Sequence, residues 1–208
     1  MPRRPRLPAA SRRRQLLDVV LQTFARSGLD ATTMDDIAGE AGVTKPLLYQ
    51  HFKSKRALFL ELLDDVVERI VGALTAAAET AEGPRQQVEA VCDAYFRFLI
   101  HNESAVRLLL DNTLPYDAEL TEAMHRVDDT IANAVRPLIQ ADIDADHQRV
   151  LAAAVVGMAK GVTRDWLHAR SEHNCPDKLP EDLDAEAELL ARRVAEFAWA
   201  SLRLVHRD

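Results

Sequence analysis

The chain has 208 residues, 48% hydrophobic but only 5% aromatic, with seven glycines and a formal net charge of −7. That length can bury a real core in one large or two small domains. The low glycine count and the dominance of Ala and Leu favour helices, and no strand-like alternation bounded by turns, or βαβ pattern, is present. The expected class is all-α. No apolar run approaches the ~18 residues needed to span a bilayer. Leu16-Leu17-Asp18 interrupts any leader-like apolar core, so no secretory signal and no membrane association are expected. Cys92 and Cys175 stand 83 positions apart without a CxxC pair, which excludes zinc-ribbon and thioredoxin arrangements and suits a reducing cytoplasm.

Met1 to Arg14 carries three prolines and six arginines. The prolines predict an extended arm, and Arg3, Arg4, Arg6, Arg12, Arg13 and Arg14 suit phosphates or a minor groove. A solvated tail is the alternative. Charge is segregated along the chain. Residues 1–56 hold 11 basic and 5 acidic residues, a charge of +6, whereas residues 57–208 hold 15 and 28, a charge of −13. The acidic total therefore hides a basic N-terminal part, and only that part is expected to approach nucleic acid.

Residues 32–63 read TTMDDIAGEAGVTKPLLYQHFKSKRALFLELL. Thr33 is an N-cap with Asp36 three residues on, a capping box with Asp in the Glu position. Asp35 and Asp36 suit the positive end of the helix. Ile37, Ala38 and Ala41 share a face. Gly42 takes a left-handed turn, Val43 plugs back into the core, and Thr44 is the next N-cap. Pro46 sits in the first turn, where it loses no hydrogen bond. Leu48 and Phe52 point inward at i and i+4. Thr44, Lys45, Leu47, Tyr49, Gln50 and His51 are left on the outside, a set suited to phosphate oxygens and base edges. Lys53, Lys55 and Arg56 come next, with Ser54 as N-cap of the following helix, whose start, with Lys55 beside it, suits a phosphate. A plain helical hairpin with a polar face is the competing reading.

These pieces, with Phe24-Ala25-Arg26-Ser27-Gly28 before them, closely resemble the DNA-binding domain of the tetracycline-repressor (TetR) family of bacterial transcription regulators. The resemblance covers residues 12–63. It implies that Thr33, Tyr49 and Lys55 touch phosphates and that Thr44, Lys45, Pro46, Leu47, Gln50 and His51 face the major groove. Many members carry a small residue and Thr or Ser where this chain has Pro46-Leu47, so Leu47 is expected to make an apolar contact, such as with a thymine methyl.

After this reader, a helix is expected from about Lys55 to Thr80, broken at Gly83-Pro84. A second carries Val88, Val91, Cys92, Tyr95 and Leu99 at helical spacing and ends near Asn102. Val106 and Leu108-Leu109-Leu110 open a short apolar helix, and Leu114-Pro115-Tyr116 breaks it. The next carries Leu120, Met124, Val127, Ile131, Val135 and Leu138. Two long helices follow, around 146–172 and 181–205. Their stripes, Leu151, Ala154, Val155, Met158, Val162 and Trp166, then Leu190, Val194, Phe197, Ala198 and Leu202, are expected to form a homodimer interface, with monomer core as the alternative. Ala152, Ala153, Gly157 and Gly161 would let a neighbouring helix come close. The resemblance implies a four-helix bundle between subunits, and a ligand pocket in the middle helices whose occupation moves the readers apart. Tyr95, Phe98, Leu99, His101, Met124, His125, Ile131 and Trp166 mix apolar surface with a few polar heads, as a small-molecule site needs; an ordinary helical core would look the same.

No phosphate-binding Gly-rich loop, HExxH, GxSxG or dinucleotide fingerprint is present. No His pair or carboxylate cluster frames His101 or His125 as metal ligands. No catalytic residue, cofactor or metal is therefore expected. The sequence describes an all-α chain: residues 1–56 form the arm and helix-turn-helix domain, and residues 57–208 a helical ligand-sensing and dimerisation domain. The expected function is a cytoplasmic, homodimeric repressor that binds a palindromic operator in double-stranded DNA and leaves it when a small-molecule effector binds. A helical enzyme, or a protein-interaction module with an incidental basic N-terminus, stays open as the alternative.

Overall fold

A computed structural model describes residues 9–110, 117–140, 142–172 and 180–205. Among these residues it contains α1 (Ala9–Ser27), α2 (Met34–Glu40), α3 (Lys45–His51), α4 (Lys55–Thr80), α5 (Pro84–His101), α6 (Glu103–Leu110), α7 (Ala118–Val135), a 3-10 turn (Arg136–Leu138), α8 (Ala145–Glu172) and α9 (Pro180–Val205). No strand occurs among the described residues.

The local chemistry explains the boundaries. Thr33 accepts from the Asp36 backbone N–H while the Asp36 carboxylate accepts from the Thr33 N–H, so the capping box forms as the sequence predicts. Gly42 has φ +62°, which a side chain rarely adopts, and this reversal swings the chain from α2 into α3. Ser54 Oγ accepts from the Ala57 N–H and starts α4. Gly83, at φ +91°, precedes Pro84 and separates α4 from α5. Asp117 caps α7 by accepting from the Leu120 N–H.

The reader's core forms where α1, α2 and α3 close over α4. Val20, Ile37, Leu48, Phe52, Leu58 and Phe59 are all fully or nearly fully buried, and the Phe24 and Phe59 rings meet edge to face at 5.7 Å. The reader's core thus draws on side chains beyond residue 56. Further along α4, Val66, Ile70 and Leu74 are buried as well, so reader and body belong to one continuous hydrophobic cluster. In the body, α5 packs against α4 and α9, and α7 packs against α4 and α8.

Two expectations change. The helix starts at Ala9, so the extended arm does not reach Arg14. Arg13 pairs with Glu61 on α4 and lies 5.2 Å from the centroid of the Phe52 ring, and Arg14 stands 3.8 Å from Asp65. Carboxylates on α4 place both arginines beside that helix. Arg3, Arg4 and Arg6 lie outside the described residues, as do Cys175 and the Leu114-Pro115-Tyr116 break. The second change concerns the two C-terminal stripes. Trp166, Val194, Ala198 and Leu202 are buried within the chain's own core, because α9 spends that face on α5.

Phe59→Ala is expected to cost about 3–5 kcal/mol of stability, because it removes a fully buried ring and leaves a cavity in the reader's core. Urea denaturation followed by circular dichroism would measure it, and a loss under ~1 kcal/mol would contradict this account of the core.

Candidate nucleic-acid interface and core cavity

α3 is amphipathic on a very small scale. Leu48, with Phe52 just past its end, anchors the helix inside, leaving Thr44, Lys45, Pro46, Tyr49 and Gln50 exposed and Leu47 and His51 half-buried. Thr44 is the N-cap by backbone position, yet its side chain makes no capping hydrogen bond. Its hydroxyl is therefore available outward. Tyr49 is 45% exposed, and its phenol projects from the same short helix. Lys45 donates to Asp35 Oδ2 at 2.6 Å, and this hydrogen bond holds the ammonium's pKa above its ordinary value. To meet DNA, Lys45 must exchange that carboxylate for a phosphate or a base edge. The pair is exposed, so the exchange is cheap.

Two of the residues expected on phosphates are otherwise engaged. Lys55 Nζ donates to the carbonyls of Leu29 at 2.6 Å, Asp30 at 3.1 Å and Thr32 at 2.8 Å. An ammonium has three N–H donors, and here all three close the loop between α1 and α2 onto the start of α4. Thr33 is similar. Its hydroxyl donates to Asp36 Oδ2 at 2.6 Å, and its backbone N–H goes to the same oxygen, so neither donor is left for a phosphate. Both residues build the reader. Lys53, which sequence reasoning placed nearby without giving it a role, is exposed and makes no ion pair among the described residues. Its signal was simply a lysine at the turn before a capped helix.

The structure also ties the reader to the body through a contact invisible in sequence. The Arg56 guanidinium donates to both Asp117 oxygens and to Glu119 at the start of α7, and Arg56 holds the Asp117 carboxyl down at about 2. The partners lie more than 60 positions apart, so no spacing rule finds them.

Of the expected ligand-lining residues, Tyr95, Leu99 and Ile131 do come together around a small cavity in the body, of about 20 Å³. Trp166 is buried on α8. Phe98 lies under the Arg69 guanidinium, 5.6 Å from its ring centroid, and Met124 is half-buried against the core. None of these three lines the cavity. Neither does His101, which is exposed and pairs with Asp184 at 2.8 Å, nor His125, which is exposed on α7. For the histidines the reason is helical phase: the buried faces of α5 and α7 are already filled by Tyr95, Leu99, Val127 and Ile131. Three further polar residues missed by sequence reading do border the cavity, Asp128, Lys160 and Thr163. Among the described residues no group of acidic, His or Cys side chains is arranged to hold a metal, and no helix is long and apolar enough to cross a membrane.

This arrangement, a capped helix-turn-helix on a helical body, defines a class of DNA-binding regulators. Residues 16–62 match the family described as "Bacterial regulatory proteins, tetR family". The HTH-type transcriptional activator FasR of Mycolicibacterium smegmatis is 32% identical over 199 residues, spanning 95% of this chain and 85% of that protein. The repressor KstR2 of the same organism is 36% identical over 102 residues, about half of each chain. A TetR-like regulator from Rhodococcus sp. RHA1 shares the fold with a TM-score of 0.69, 24% identity, and coverage of 95% of this chain and 99% of that one. FadR of Bacillus subtilis in complex with stearoyl-CoA shares it at 0.70 and 15% identity, over 89% and 97%. The chain belongs to the tetR family of bacterial transcriptional regulators.

Lys55 and Tyr49 separate building from reading. Lys55→Met is expected to destabilise the fold by about 1–3 kcal/mol, because it leaves three carbonyls without their shared donor. Tyr49→Ala is expected to stay within ~0.5 kcal/mol of the parent, as surface substitutions do. Paired thermal melts of the two variants would show the difference, and equal stabilities would contradict the clasp.

Proposed function

We propose that this regulator works as a homodimeric repressor that holds a two-fold operator through α3 and leaves it when a small molecule enters the body. The observation that carries the DNA reading is the outer face of α3. Thr44, Tyr49 and Gln50 are exposed there, Thr44 with no capping hydrogen bond, and His51 stands half-exposed beside them. Phosphates would be met by Tyr49, Thr44 and Lys53, while Lys45, Pro46, Leu47, Gln50 and His51 would face base edges in the major groove.

Dimerisation is supported by what α8 and α9 leave uncovered. Val150 is 54% exposed and Phe197 65%, and Ala153, Ala154, Gly157 and Gly161 form an exposed small-residue stripe on α8. Contiguous apolar surface of this kind marks a protein contact. The small residues would let a partner helix come close, and a two-fold dimer would set the readers about one DNA turn, or a multiple, apart.

Release requires an effector that binds a DNA-incompetent conformation better than the competent one. The cavity is the supported place, because Ile70 on α4 is one of its walls and the other end of α4 carries the reader. FadR of Bacillus subtilis, which shares this fold, holds stearoyl-CoA. Activation is a second reading, favoured by the 32% identity with the activator FasR along almost the whole chain; transcription from a promoter carrying the bound site would decide between them.

Tyr49→Ala should weaken binding to an operator duplex by at least about tenfold in fluorescence anisotropy, the ~1.4 kcal/mol scale of one good polar contact, while leaving the dimer intact. Unchanged affinity would count against α3 as the reader. Phe197→Glu should give a monomer by light scattering at micromolar concentration, and a dimer that survives it would argue for another interface.

A further inference from the structure

Asp128 on α7 and Lys160 on α8 form an ion pair on the wall of the body's cavity, with Lys160 Nζ at 2.6 and 2.8 Å from the two Asp128 oxygens. Most of the remaining wall is apolar, with Leu99, Leu109 and Ile131 among its side chains. The pair is only partly exposed, the Lys160 side chain 23% and that of Asp128 40%, so it sets a charged group at the edge of an otherwise apolar wall. The polar inventory around this cavity is also lopsided. Both Asp128 oxygens receive an N–H, but the ammonium has a third donor, and no acceptor among the described residues takes it.

Thr163 borders the same cavity; its Oγ1 donates to the Ala159 carbonyl at 2.8 Å, and its nearness to Tyr95 works against the rise that burial imposes on the phenol. Burial pushes the Tyr95 phenol up to about 12, which keeps it a neutral donor.

Exposure decides which member of the ion pair would change partner. The Asp128 side chain is 40% exposed and that of Lys160 23%, so on separation the carboxylate can turn to water more readily than the ammonium. We propose that Lys160 anchors the head group of the effector, and that the effector is an apolar-chain molecule ending in a carboxylate. On binding, the ligand carboxylate replaces Asp128 on Lys160 and the chain lies among the leucines and isoleucines of the wall. The cavity as it stands holds about one water, so the chain enters by displacing Leu109 and Leu110 of the eight-residue α6. This inference rests on the body being the sensing domain and names the chemistry of that site.

Three probes of equal chain length separate head-group charge from chain burial: laurate, dodecanol and dodecylamine, each titrated below its micelle-forming concentration with tryptophan fluorescence and calorimetry. Laurate should bind at least tenfold more tightly than the other two. Lys160→Met should remove that advantage while leaving dodecanol within twofold, and Asp128→Asn should tighten laurate severalfold, because it frees the ammonium. The opposite signs of the two variants cannot come from general loss of fold, which circular dichroism checks in parallel. Preference for dodecylamine, a laurate advantage that survives Lys160→Met, or binding of none of the probes would overturn the proposal. Laurate that binds with this signature but leaves DNA affinity unchanged would uphold the role of Lys160 and contradict release by the ligand.

Discussion

Burial along one flank of α4 is the constraint on which the molecule depends. α2 and α3 have seven residues each, well short of the ~12–15 at which an isolated helix becomes even marginal in water. They persist because Ile37, Leu48 and Phe52 reach a core whose floor is Leu58, Phe59 and Leu62 on α4. The same helix then turns Val66, Ile70 and Leu74 into the body. A single 26-residue helix is therefore part of both cores.

Electrostatics is organised around the same helix. Lys55 gathers three loop carbonyls onto the first turn of α4, and the adjacent Arg56 grips the start of α7. Arg13 and Arg14 lie against Glu61 and Asp65 further along. Among the described residues, much of the N-terminal positive charge is thus paired within the molecule. Near α3, Lys53 is exposed and Lys45 is held only by an exposed pair with Asp35, while the acidic excess of the sequence lies in residues 57–208. A reader of this kind gains affinity from a few positioned donors, and the acidic body should repel the rest of the duplex.

Much of this was legible in the sequence, because helix boundaries are local chemistry. The capping box at Thr33 and Asp36, the reversal at Gly42, the Ser54 cap and the Gly83-Pro84 break all stand where short-range rules put them. The outward set on α3 was legible for the same reason, since its phase is fixed by Leu48 and Phe52. What was not legible depends on residues far apart in the chain. Lys55 looks like a phosphate ligand until Leu29, Asp30 and Thr32 are brought beneath it. His101 and His125 look like polar heads for a pocket until the phase of α5 and α7 turns them to the surface. Val194, Ala198 and Leu202 look like an interface until α5 covers them. The Asp128–Lys160 pair left no trace at all, because two helices must pack before it exists.

The central claim is that α3, held by α4, reads DNA. The most direct test is titration of the purified protein with duplex DNA from upstream of its own gene, beside random duplex of equal length, across a range of salt. The account predicts saturable binding that survives about 0.2 M salt, with a linear fall of log affinity against log salt, and much weaker binding to random DNA. Failure to bind either duplex at low salt, by protein shown to be folded, would contradict it.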